Sequence, residues 1–123
     1  MLIKGEFEVS LLPQQDNAAP AGRMLIEKQY QGALQGEGCG QMLSKRLENG
    51  TALYVAIEEF KGSLSGQTGG FTLVHKGLMS TEQQNLEIFI LEGSGFGELE
   101  GISGTMAIKM EEGKHFYELD YTL

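Results

Sequence analysis

The sequence predicts an all-β chain, a single-domain eight-stranded antiparallel barrel. Three observations lead there. Apolar and polar residues alternate with period two along most of the chain, no segment keeps the 3.6-residue period of a helix, and turn signals recur at the spacing of a meander. Eight short strands joined in sequence, in 123 residues, close most economically on themselves.

The first strand is residues 3–9, where Ile3, Phe7 and Val9 share one face and Lys4, Glu6 and Glu8 the other. Residues 11–22 hold both prolines of the chain and read as a long loop, either a plain connector or a flap. Further strands are expected at 24–35, 39–47, 51–65, 70–79, 86–91, 101–110 and 115–123. Asn49-Gly50, the glycine-rich 66–69, Gly93-Ser94-Gly95 and Glu112-Gly113 punctuate them.

A glycine pattern recurs inside this sheet. Gly32-Ala-Leu-Gln-Gly36, Gly62-Ser-Leu-Ser-Gly66 and Gly97-Glu-Leu-Glu-Gly101 all read G-x-L-x-G. Offsets of two and four put the glycines and leucine on one face, so the strand can bend while the leucine still fills the interior. The pattern is thus expected to turn corners. It does not cradle phosphate, because no lysine and hydroxyl follow the last glycine and no helix follows the loop.

Composition narrows the function. The formal charge is −8, from 17 acidic and 9 basic residues with no basic patch, which disfavours nucleic acid. One cysteine, Cys39, cannot form an internal disulfide, and nothing reads as a signal peptide or a membrane-spanning helix, so a cytoplasmic protein with no membrane partner is expected. His75 and His115 lack the spacing of a metal site, hence no metal is expected. Nothing basic near Cys39 would lower its thiol pKa.

Two hairpins can be registered by arithmetic. A turn at Gln67-Thr68 would make paired residue numbers sum to 135, setting Phe60 opposite His75. Tyr54, Glu58, Phe60, Phe71 and His75 then face inward, with Glu58 and His75 diagonal neighbours roughly 7 to 8 Å apart. A turn at Glu112-Gly113 makes the last hairpin sum to 225, setting Ile108 opposite Tyr117 and Gly104 opposite Tyr121. Both tyrosines therefore look inward.

The predicted interior is apolar with Tyr54, Glu58, His75, Tyr117 and Tyr121 as polar points. Together with Phe60, these residues are the candidate ligand-binding set, since an apolar cavity with a few convergent polar groups is the usual small-molecule site. The same residues also suit a filled core in which they satisfy one another. Burial is expected to raise the Glu58 pKa, which would suit Glu58 or His75 as the acid or base of an isomerase or cyclase. On the opposite face of residues 51–65, Leu53, Val55 and Ile57 are apolar too. They predict either a homo-oligomer interface, and with it an assembly role, or cover by the 11–22 segment.

The motifs KGEFEV, KQYQGALQGEG, YVAIEEFKGSLSGQTGGFTLVHKG, GSGFGELEGISGTM and YELDYTL, in this order, resemble the bacterial family known as domain of unknown function 3224 over nearly the whole chain. Glu58, Phe60, Gly62, Gly66, Phe71, His75 and Tyr121 match its motifs. That resemblance implies an allene oxide cyclase-like barrel. Members of the wider group fold a reactive apolar substrate inside the barrel without metal or organic cofactor. No cofactor is therefore expected, and no local cyclase motif here allows a catalytic residue to be carried over.

Overall fold

The computed structural model describes residues 1–123 and contains nine strands and no helix. They are β1 (Leu2–Gln14), β2 (Gly22–Gly32), β3 (Leu34–Arg46), β4 (Ala52–Leu64), β5 (Gln67–Met79), β6 (Gln84–Ile90), β7 (Phe96–Gly97), β8 (Ser103–Glu111) and β9 (Lys114–Thr122). Antiparallel pairing runs β1, β2, β3, β4, β5, β6, β8, β9 and back to β1. The wall is an eight-stranded closed barrel, as the alternation predicts. The two-residue β7 is extra, and pairs with Gly69 and Gly70 of β5 beyond the reach of β6.

Two sequence expectations need correction. β1 does not end before residue 11 but continues through Pro13, which pairs with Met24 of β2. The reason lies on its other side: β9 covers only Leu2 to Phe7, so the far half of β1 has one free edge, where a proline costs no ladder hydrogen bond. The connector is correspondingly short.

The β4–β5 hairpin turns at Ser65-Gly66, not at Gln67-Thr68, so Leu64 pairs with Gln67 and Phe60 with Phe71. Both turn residues have positive φ, 48° and 87°, the geometry that matches the twist of a two-residue hairpin. Thr68 is β-branched and ill suited to it. The shift preserves which residues face inward, because paired numbers still sum to an odd value. The β8–β9 hairpin has the predicted register, with Ile108 opposite Tyr117 and Gly104 opposite Tyr121.

Two of the three G-x-L-x-G segments form one corner together. Leu34 pairs with Leu64, and Gly36 with Gly62, where the backbones come so close that a Cβ on either glycine would overlap the facing carbonyl. The third copy is no strand corner. It makes tight turns, with Leu99 N–H donating to the Phe96 carbonyl (3.2 Å) and Ile102 N–H to that of Leu99 (3.1 Å). All three leucines have 0% exposure.

The barrel therefore has two unlike ends. At one, Leu34, Leu64, Leu99, Ile102, Tyr117 and Leu119 are buried in one continuous core. At the other, residues on the inward-facing registers meet water: Met24, Met42 and Tyr54 are half-buried, and Leu11, Met79 and Leu86 exposed.

Candidate functional site

Between these ends lies a buried cluster of charge. Glu58 on β4 is fully enclosed. Its Oε1 accepts from Lys28 Nζ at 2.9 Å and from His75 Nε2 at 2.9 Å, and its Oε2 accepts from the Tyr30 hydroxyl. Lys28 is only 6% exposed and His75 5%. The ammonium of Lys28 also lies 4.9 Å from the Phe7 ring centre and 5.8 Å from that of Tyr30, within reach of both π faces.

Local sequence explains how these groups meet. Glu58 pairs with Leu73, so His75, two residues on, is its diagonal neighbour on the same face. Lys28 and Tyr30 belong to β2, a full strand further away, and must reach over β3. They can, because the inward positions of β3 facing them are Gly36, Gly38 and Gly40. A Cβ on Gly38 would overlap Glu58 Oε2 and crowd the Tyr30 ring. The GEGCG run is thus a side-chain-free track along which two strands share one carboxylate.

The electrostatics reverse one expectation. Burial does push the Glu58 carboxyl upward, but the hydrogen bond from His75, the charge of Lys28 and the hydrogen bonds from Tyr30 and Lys28 outweigh it. Its pKa falls to about 2, not upward. Glu58 is a permanent anion at neutral pH. Tyr30 moves the other way: burial, then the neighbouring negative charge and its hydrogen bond to Glu58, raise its pKa well above the ordinary value. With an ionised carboxylate as acceptor, His75 Nε2 carries the donated proton, and Nδ1 is left for another partner.

The other predicted site residues are divided between the two ends. Tyr54 stands at the open end against Gly77, where burial raises its pKa. Phe60 is core, packed edge-on to Tyr30 at 5.6 Å and tilted against Phe71 at 5.1 Å. Tyr117 is at the closed end, its oxygen accepting from Leu34 N–H (2.9 Å) and facing the Gln31 carbonyl at 3.0 Å. Tyr121 donates to Met1 Sδ at 3.3 Å. Neither Tyr117 nor Tyr121 joins the Glu58 cluster.

Sequence reasoning missed Lys28 and Tyr30. Their signal was a lysine in phase with Ile26 and Tyr30 on an apolar face, beside a strand whose matching face is glycine. The larger clefts of the molecule, about 620 Å³ around Phe116 and Lys4, about 460 Å³ around Met1 and Tyr121 and about 440 Å³ around Glu8 and His115, are not lined by Glu58 or His75.

The model of the protein of unknown function family DUF3224 matches residues 3–121. The chain belongs to the DUF3224 family. A crystal structure of a DUF3224 protein of unknown function from Shewanella oneidensis is similar over 99% of this chain and 96% of that one, with 38% identity and a TM-score of 0.90. No curated protein matches the chain. For DUF3224 the barrel is thus common to both proteins, while the chemistry has to be read from the residues.

Proposed function

We propose that this DUF3224 barrel is a binding protein for a small apolar or aromatic molecule, received at its open end. One observation carries the reading: apolar side chains on inward registers, Met24, Met42, Met79 and Leu86 among them, stay in contact with water, while their counterparts at the other end are sealed. Methionines suit this place, being flexible and polarisable enough to fit an irregular guest. His75 connects the guest to the charge cluster, since Met42, Ala56 and His75 form one registered row across β3, β4 and β5. Its Nδ1 supplies a polar anchor, and the Tyr54 hydroxyl a second at the rim.

A cofactor-free isomerase or cyclase is the weaker reading. With a pKa of about 2, Glu58 would hold a proton in only about one molecule in 10⁵ at pH 7, too few for a general acid. As a base it would be feeble and already engaged by three donors. Its geometry suits holding Lys28, Tyr30 and His75 in place.

The test is a fluorescence titration with 1-anilinonaphthalene-8-sulfonate, alongside native mass spectrometry of the untreated protein for a retained small mass. Saturable dye binding that Met42→Glu abolishes and Ile57→Asp, on the outer wall, leaves intact is the expected result. Absence of saturable binding, or equal loss in both variants, would overturn the proposal.

A further inference from the structure

The two nitrogens of His75 stand in different surroundings. Every enclosed side-chain nitrogen and oxygen of the protein has a hydrogen-bond partner. Nε2 has Glu58, but Nδ1 has no partner and is therefore not enclosed, although His75 as a whole is buried. The row to which His75 belongs runs Met24, Met42, Ala56, His75 across β2 to β5, and Met24 and Met42 in it are half-buried. Nδ1 thus meets the same open space as the methionines.

The chemical sense of that nitrogen is fixed from behind. Glu58 is ionised and can only accept, so Nε2 carries the proton of their 2.9 Å bond. Lys28, 2.9 Å from the same Oε1, already balances the carboxylate. A second cation in the enclosure would be an unpaired charge, so the imidazole is kept neutral and Nδ1 presents a bare lone pair. A guest must therefore bring the proton. An ether oxygen would be set against that lone pair, and a carboxylate would add a negative charge one imidazole width from Glu58.

The surroundings of His75 suit a ring behind the donor. Ala56, the smallest side chain of the row, separates His75 from Met42, whose thioether can meet a ring edge. Two residues along β5, Gly77 lies under the Tyr54 ring, which a Cβ at Gly77 would overlap. The missing side chain lets that ring lie along the wall as the diagonal neighbour of His75, an aromatic surface beside the lone pair.

We propose, resting on the open-end binding reading above, that the guest is a neutral aromatic molecule whose ring O–H or N–H donates to His75 Nδ1. Hydrogen bonds then pass from guest to His75 to Glu58. Each bond of such a chain polarises the next, so the buried carboxylate strengthens the hold on a guest that it does not touch. Phenols and similar ring donors are taken, and their ethers and the aromatic acids are refused.

Three naphthalenes separate the cases: 2-naphthol, 2-methoxynaphthalene and 2-naphthoate, titrated at pH 8 and followed by their own fluorescence, which a chain without tryptophan leaves clear. 2-Naphthol is expected to bind about tenfold tighter than either analogue, since the ether leaves the nitrogen unpaired. In His75→Phe, naphthol and ether should bind alike. Should His75→Phe fail to fold, nitrogen-15 spectra of histidine-labelled wild-type protein decide: the His75 Nδ1 resonance shifts with 2-naphthol and not with the ether. Equal binding of naphthol and ether to the wild type, tightest binding of naphthoate, a preference that survives His75→Phe or an unmoved Nδ1 resonance would overturn this inference and leave the binding reading standing. If none of the three binds saturably the inference also fails, and the binding reading fails with it only where 1-anilinonaphthalene-8-sulfonate does not bind either.

Discussion

The closed and open ends of this barrel are made from the same alternating strands, yet one is a core and the other a rim. At the closed end, glycine-flanked leucines let the walls converge until Leu34, Leu64 and Leu99 have no contact with water. At the open end the inward positions carry methionines and Tyr54, no corner draws the strands together, and Met110 is 65% exposed. The contrast teaches that alternation decides which side of a strand is inside, whereas small residues decide whether that inside is filled. The charge cluster of Lys28, Glu58 and His75 sits at the boundary between the two.

The largest expected effect comes from the boundary itself. Glu58→Gln leaves Lys28 buried beside a neutral amide, and should cost about 3 to 5 kcal/mol in urea unfolding. A loss under about 1 kcal/mol would mean that the cluster does not hold the two ends together. Truncation should then separate the ends. Leu64→Ala in the closed core is expected to cost about 2 to 5 kcal/mol, but Met42→Ala at the open end less than about 1 kcal/mol. Equal costs would erase the distinction.

Acid should act through the same carboxylate. Glu58 has a folded pKa of about 2 against an ordinary 4.5, so the stability it contributes is complete above about pH 4.5 and is lost as pH falls towards 2. On the order of 3 kcal/mol should disappear over that window. Chemical unfolding at stepped pH would measure it, and Glu58→Gln should flatten the curve. Along β3, Gly38→Ala is expected to cost about 1 to 3 kcal/mol by crowding Glu58 and Tyr30. If Gly38→Ala is neutral, the open track along β3 is not what lets β2 reach β4.

Much of this was legible beforehand, for reasons visible in particular residues. Period-two alternation marks the wall, and Glu112-Gly113 fixes the last hairpin because only one turn there suits both strands. At 66–69 two glycines flank Gln67 and Thr68 and offer competing turns, so the observed turn lies two residues from the expected one and each pairing is displaced by four, while the inward face stays the same. The Glu58–His75 contact survived for that reason. The Glu58 pKa was misjudged because burial is readable from one strand, but the three donors that overcome it come from two others. Proline in β1 misled because only the finished sheet reveals a free edge.

One seam of the wall differs in kind from the rest. Every strand of the barrel is bonded to a near neighbour in sequence except at β1 and β9, where Phe7 meets His115 and Leu2 meets Asp120. The other pairings can zip up from local turns on short loops, but this one must wait for the two extremities of the sheet to find each other. Folding of this protein is therefore expected to proceed as a curling ribbon with a late clasp. Residues such as Gly5, seated against the Tyr117 ring across that clasp, would govern how fast the barrel reopens more than how fast it first forms.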